Sequence, residues 1–379
     1  MALSNRERFV RLFNGEEVDR VPFLDLFRPW PSTLARWKRE GLREDATVAT
    51  VREIIGFDGG RGVALPVTGF IWPEFERTHL RQDGEKVLYR SRWGGIEQNF
   101  ADTEVMSVVV SGPVRDRKSW AAIRERLDPD TAGRFPDDWD AVVARARASG
   151  EPVHTGNHPI GFFGAPRELF GFEQLAMLFY DDPGLVHEVL DTLCDLWIAI
   201  YGKVLADIRL DWFMVWEDMC SRNGPLIGPS TFREFLLPRY KRLLSVLRGK
   251  GCVHVLVDSD GDERELVPLW LEGGVNIVFP WETQFGLDLL EVRRRFPRLG
   301  IMGGLNKAAV AHGRAAIDEE LKKVPALLQQ GLFLPSLDHG VAPDTSWDNY
   351  RYFYDRLRDL IWKHVPEPVG LERTVVGGR

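Results

Sequence analysis

The stretch Asp258-Ser259-Asp260-Gly261-Asp262 crowds three carboxyl groups into five residues, and Glu282 and His339 each follow a later apolar run. Carboxylates gathered with one imidazole can do two kinds of work. Three oxygen ligands and a nitrogen suit a divalent ion such as Zn, Mn or Mg, so Asp258, Asp260, Glu282 and His339 form a candidate metal set. The same groups can instead share protons, since crowded carboxyls at a protected site stay protonated nearer neutral pH. Asp258, Asp260, His339 and Glu217 are therefore the candidate catalytic residues. Arg28, Asp218, His154, Asn157, Lys307 and Trp281 are candidates to hold a substrate, with Arg28 and Lys307 suited to an anionic part. Arg61 and Arg167 could add positive charge beside the acids.

Simpler roles compete with these. The Asp-Ser-Asp-Gly-Asp run superficially resembles a calcium loop, but the twelfth position is Leu269 instead of Glu. Asp258 and Asp262 could cap a helix starting near Glu263. Cys252 and His254 fall at the start of an apolar run, where core packing is the expected role. Trp212, Trp216, Trp270 and Trp281 read as core or pocket wall.

These residues need a scaffold that brings distant segments to one place. Short apolar runs occur at Val21–Phe27, Gly62–Val67, Pro152–Thr155, Trp212–Trp216, Val253–Val257, Val275–Phe279, Leu299–Met302 and Leu332–Ser336. Between them lie segments of helical period, including Glu173–Phe179, Leu185–Leu205, Pro229–Arg248, Glu263–Glu272, Leu287–Arg295 and Ala315–Gln330. Eight strands alternating with helices predict an α/β fold, a (β/α)8 TIM barrel, with chemistry at the carboxyl ends of the strands. No run is followed by G-x-G-x-x-G, which argues against a dinucleotide-binding sheet. Ser4 and Glu7 form a capping-box pattern that predicts an N-terminal helix. Residues 78–110 read as a β-hairpin excursion, and Tyr350–Trp362 as a closing helix. The expected organisation is one domain over 1–367, with 368–379 as a C-terminal tail.

The 379 residues carry 49 Lys and Arg against 56 Asp and Glu, a net charge of −7 that offers no footprint for nucleic acid or anionic lipid. A small-molecule substrate fits better. Three cysteines, Cys194, Cys220 and Cys252, form neither a disulfide framework nor a metal knuckle. No signal peptide or membrane span is evident, and a cytoplasmic location is expected.

Several segments carry a family likeness: RERFVRLFNGEEVDRVPF near the start, Trp216-Glu217-Asp218 followed by GPLIGPSTFREFLLPRYKRL, the Asp258 turn, MGGLNK, and LDHGVAPDTSWDNYRYF. From about Asn5 to Leu360 the chain resembles the uroporphyrinogen decarboxylase superfamily, which includes corrinoid-protein and coenzyme M methyltransferases. The resemblance implies a (β/α)8 barrel. The decarboxylases carry an Arg-rich M-R-Q-A-G-R segment after the first strand; here that place reads Leu26-Phe27-Arg28-Pro29-Trp30, so only Arg28 stands in. Asp58 is the candidate for their loop Asp, and His339 matches their His at the eighth strand. The methyltransferases hold zinc with His-x-Cys at the fifth strand and Cys at the eighth, where this chain has Asp258, Asp260 and His339. A related methionine synthase barrel adds a Glu where Glu282 lies.

By this resemblance the chain is an enzyme, expected to be a methyltransferase or demethylase acting on a small organic substrate. A corrinoid carried by a partner protein is the implied acceptor, and a homodimer is expected. The alternatives are a decarboxylase of the porphyrin-biosynthetic type and a barrel that binds a ligand without transforming it.

Overall fold

The computed structural model describes residues 2–100 and 107–370. Seven parallel strands follow one another in chain order around a curled sheet: Val63–Ala64, Val153–Thr155, Trp212–Trp216, His254–Ser259, Ile277–Pro280, Gly300–Leu305 and Phe333–Leu337. Helices separate most of them, as parallel strands require a crossover. Apart from the half-exposed Val63–Ala64, the strands are short stretches buried on both faces; Trp212–Trp216 is buried at every position.

The eighth place is taken by the predicted first strand, in reduced form. Within residues 21–27 only Leu24 makes a parallel bridge, to Gly59. Beside it the amide of Asp25 donates to the Gly59 carbonyl at 3.1 Å, and that of Asp58 donates to Phe23 at 2.8 Å. Among the described residues no ladder joins this segment to Phe333–Leu337. Loops make the seam: the Trp30 amide, the Thr33 hydroxyl and the Trp37 indole donate to carbonyls of Val341, Val341 and Thr345. The fold is the (β/α)8 barrel.

The helix Asn5–Phe13 starts with the expected capping box and lies across the amino ends of the strands. Phe9 reaches Trp212 at 6.2 Å and His254 at 6.5 Å between ring centres, and Phe13 reaches His254 at 6.2 Å. Cys252 and His254 are buried on this floor, where burial pushes the thiol up to about 12 and the imidazole down to about 4.

Four expectations change. The excursion is a four-stranded antiparallel sheet, not a hairpin: Thr78–Asp83, Lys86–Arg90, Ile96–Phe100 and Val108–Ser111 pair in that order. Residues 101–106 of that stretch lie outside the described residues. The helix expected from Glu263 begins at Val267, so neither Asp258 nor Asp262 caps it: Asp258 lies within its strand, and Asp262 holds Arg264 at 2.7 Å. The tail does not leave the body at residue 368, because the amide of Val369 donates to the Gly15 carbonyl at 3.0 Å; residues 371–379 lie outside the described residues. Finally, Asp58 is a brace: it pairs with Arg20 at 2.5 Å and accepts the Phe23 amide at 2.9 Å.

Candidate active site

Strand register brings the chemistry together. Asp258 is the partner of Trp216 on one neighbouring strand and of Phe279 on the other. The chain then bends at Gly261, whose φ of +89° suits a residue without a side chain, and the Gly261 amide donates to Glu282 Oε2 at 2.9 Å. This bend turns Asp260 toward the barrel mouth and ties it to the loop after the next strand.

His339, entering from the last strand, stands between two acids. Its Nε2 lies 3.2 Å from Asp260 Oδ1 and its Nδ1 lies 3.5 Å from Glu282 Oε1. Glu282 Oε1 also accepts from Gln284 at 3.0 Å. The His339 ring stacks on Phe27, 5.1 Å between centres, and Phe27 stacks in turn on Phe279 at 5.1 Å. Burial alone would lower the imidazole pKa, but the hydrogen bond and charge of Asp260 reverse this and raise it. Asp258 is pushed up to about 7, by burial first and then by Asp260 and Asp218, against the pull of Arg61 and His339. Asp338 rises to about 6 because it is buried, although it accepts the Lys307 amide at 3.1 Å. Glu263 is buried behind this cluster with neither carboxyl oxygen partnered among the described residues, and burial drives its pKa well up.

Burial and neighbouring charge thus favour the protonated forms of Asp258, Asp338, Glu263 and His339. They are not a ligand set. A metal needs donors converging on one point, whereas the two nitrogens of His339 face two different carboxylates. Among the described residues no group of three or more His, Cys, Asp or Glu side chains is placed to hold a metal ion. The thiol-rich site of the methyltransferases also lacks its donors: all three cysteines are buried, and burial raises every thiol, Cys194 to about 11. In this arrangement Asp258, Asp260, Glu282 and His339 do not converge on one point as the expected ligand set would.

The other candidates fall in different places. Glu217 does not face the mouth. It is wholly buried and accepts the amides of Phe162, Phe163 and Gly164 at 2.8, 2.6 and 3.0 Å, and the Tyr240 hydroxyl at 2.5 Å. Its carboxylate anchors the start of the helix Gly164–Phe170, and a Cβ on Gly161 would meet the Trp216 carbonyl at 2.0 Å. Asp218 does reach the rim, where Arg167 holds it at 2.7 Å and packs over Trp216. Its φ of +42°, like the +60° of Trp281, is costly for a residue with a side chain, and such strain concentrates at functional sites. Trp281 itself is fully buried, with an unpartnered indole N–H. His154 lies deeper in the barrel, stacked on Trp212 at 3.9 Å, and burial followed by the charge of Arg61 lowers it to about 3. Asn157 and Arg28 are exposed, and Lys307 is half-buried at the start of the helix Lys307–Ala311.

Arg61 is a further residue of the site. It sits beside Phe27 and Phe279, with its charge felt by Asp258, Asp25 and His154. The signal was its setting, Gly59-Gly60-Arg61-Gly62, a long cation among small residues at a strand start. A cavity of about 340 Å³ lies between the four-stranded sheet and the mouth, lined in part by Arg77, Trp93, His158 and Glu168.

This arrangement can be set beside known proteins. The chain resembles in structure a methyltransferase from Methanosarcina mazei, with TM-score 0.55 and 15% identity, over 94% of this chain and 99% of that one; at that identity the likeness speaks for the fold. A uroporphyrinogen decarboxylase from Nocardia farcinica is 27% identical over 257 residues, 62% of this chain and 66% of the relative. One from Gloeobacter violaceus is 22% identical over 272 residues, 69% of this chain and 74% of the relative. The chain thus spans about two thirds to three quarters of the length of these relatives. The family model for uroporphyrinogen decarboxylase (URO-D) matches residues 94–360, a span running from the four-stranded sheet to the last helix and including Asp258, Glu282 and His339. The chain belongs to the uroporphyrinogen decarboxylase family.

Proposed function

We propose that this family member is a demethylase acting on a small organic substrate at the barrel mouth, with the methyl group passed to a corrinoid carried by a partner protein. The observation that carries this reading is the proton-holding cluster: Asp258 titrating at about 7, with His339 held between Asp260 and Glu282. When the methyl–oxygen bond of a methoxyl group breaks, the electron pair stays on the oxygen and a proton must arrive there, whereas a quaternary amine leaves as a neutral amine without one. A general acid placed near its own pKa does this best. A reduced corrinoid supplies the nucleophile that accepts the methyl group. This chain binds and orients the substrate, keeps the proton on Asp258, and holds a second on His339.

The mouth suits a small substrate better than an octacarboxylate porphyrinogen. Asp218, Asp258, Asp260 and Glu282 lie around it, and a polyanion would meet repulsion from each ionised one.

A second reading, decarboxylation, is favoured by the relatives' names and by Arg28 and Arg61 near the acids. Its chemistry is equally simple to balance: the bond to the carboxyl group breaks, carbon dioxide leaves, and the carbon takes the proton.

One assay separates the two. The purified chain is incubated with a panel of methoxylated aromatics and quaternary amines plus free cob(I)alamin, and with uroporphyrinogen in parallel. Demethylated product together with loss of the cob(I)alamin absorption supports methyl transfer. Carbon dioxide release without demethylation overturns it in favour of decarboxylation.

A further inference from the structure

Among the described residues Arg61 is a cation without a bonded counter-ion. Its Nε donates to the Leu26 carbonyl at 2.8 Å, which fixes one edge of the guanidinium. Its central carbon lies 5.0 Å from the Phe27 ring centre and 4.9 Å from that of Phe279, so the side chain is held by packing as well. The remaining donors make no hydrogen bond or ion pair among the described residues. The nearby acids are not available in the same way: Asp25 is buried and engaged by Arg52 at 2.8 Å, and Asp258 exerts its charge on Arg61 without forming a bridge. Neighbouring arginines differ, since Arg20 holds Asp58 and Arg167 holds Asp218. Arg28, close enough to repel Arg61, adds a second positive charge on the same side.

A half-buried guanidinium in this state bears a desolvation cost that the charges of Asp258 and Asp25 offset only in part. A carboxylate offsets it well, because two parallel N–H groups match its two oxygens. Phe27, against which Arg61 packs, also stacks on His339, so the guanidinium stands beside the side chains gathered at the mouth.

We propose that Arg61 is the receptor for a carboxylate on the substrate, so that the substrate class is a small aromatic carboxylic acid lying with its ring along Phe27 and its reacting end toward Asp258. This rests on the proposed reaction at the same mouth but is tested apart from it.

The probe is sodium benzoate, with neutral benzamide as its near-isostere, titrated calorimetrically into the full chain. Benzoate is expected to bind at least about tenfold more tightly than benzamide. Arg61→Met should weaken benzoate by about tenfold or more and erase the preference, while Arg61→Lys, which keeps the charge but not the fork, should retain part of it. Thermal melts check folding; if Arg61→Met fails to fold, the comparison of the two probes on the unaltered chain and on Arg61→Lys decides. Equal binding of benzoate and benzamide, absence of benzoate binding, or an unchanged Arg61→Met overturns the assignment.

Turnover separates this from the reaction. Equal demethylation of 4-methoxybenzoate and 4-methoxybenzamide removes the carboxylate receptor and keeps the demethylase. Selective benzoate binding with no demethylation of 4-methoxybenzoate keeps the receptor and removes that reaction for this substrate class.

Discussion

Nε2 of His339 stands 3.2 Å from Oδ1 of Asp260, two residues that lie 79 positions apart in the chain and meet only because both follow strands that end at the same rim. The pair raises the imidazole pKa even though burial opposes it. A raised folded-state value means the protonated form is favoured by folding. The resulting stability is fully present below the unfolded value near 6.5 and is lost as pH rises through the folded one. His339→Gln should therefore lower the melting temperature most below about pH 6.5. Above the folded value the difference from the unaltered chain should shrink. Melting curves from pH 5 to 9 check this; a constant offset would show that the imidazole does not titrate against Asp260.

Asp258 changes stability with pH in the same sense, through the cost of ionising in a buried place. Its carboxyl, at about 7 when folded, sits above the usual 3.8, so stability falls as pH rises between those values and levels off beyond the upper one. Asp258→Asn removes a group that must ionise in a costly place. It should stabilise the chain at pH 8 by about 1–3 kcal/mol and leave it little changed at pH 4, measured by urea unfolding. Turnover should move in the opposite sense, falling about 10²–10⁴-fold if Asp258 is the general acid. The activity of the unaltered chain should decline as pH rises through about 7.

Glu217 tests the difference between a site residue and a support. Four donors converge on its carboxylate. Glu217→Gln turns one acceptor into a donor facing donors and should cost about 2–4 kcal/mol of stability. Turnover per folded molecule should stay within a few-fold. A stable variant with abolished turnover would instead place Glu217 in the chemistry.

The donor geometry at the mouth also predicts metal content. Protein purified without chelator should carry well under one equivalent of Zn, Mn or Mg by mass spectrometry. Chelator should leave its melting temperature unchanged. One tightly held equivalent, lost on Asp260→Ala, would show that the carboxylates rearrange into a ligand set.

The strands were legible because a parallel strand buried on both faces is written as a short apolar run, as Trp212–Trp216 shows without error at either end. The first strand was over-read: residues 21–27 are apolar enough, but they pair through one bridge and are held by Asp58 and loop contacts that no local pattern announces. Helices Pro31–Arg39, Val48–Ile55, Arg117–Arg124 and Trp139–Ala148 were passed over, being short and strongly polar on one face. At the site, the strand-end rule singled out Asp258, Asp260, Glu282 and His339. It could not separate Glu217 from them, because the amides that claim Glu217 come from residues 162–164, more than fifty positions earlier.

The sequence by itself determined the alternation of buried strands and helices, and with it the end of the barrel where polar groups collect, since burial and periodicity are local properties of the chain. Only the tertiary structure decided what each polar group became. Glu217 turned inward to satisfy helix amides, His339 settled between two acids, and Arg61 stands beside Phe27 without a bonded counter-ion among the described residues. These outcomes depend on distances between segments far apart in sequence and on how much water each group loses, and neither is encoded in any one stretch of residues.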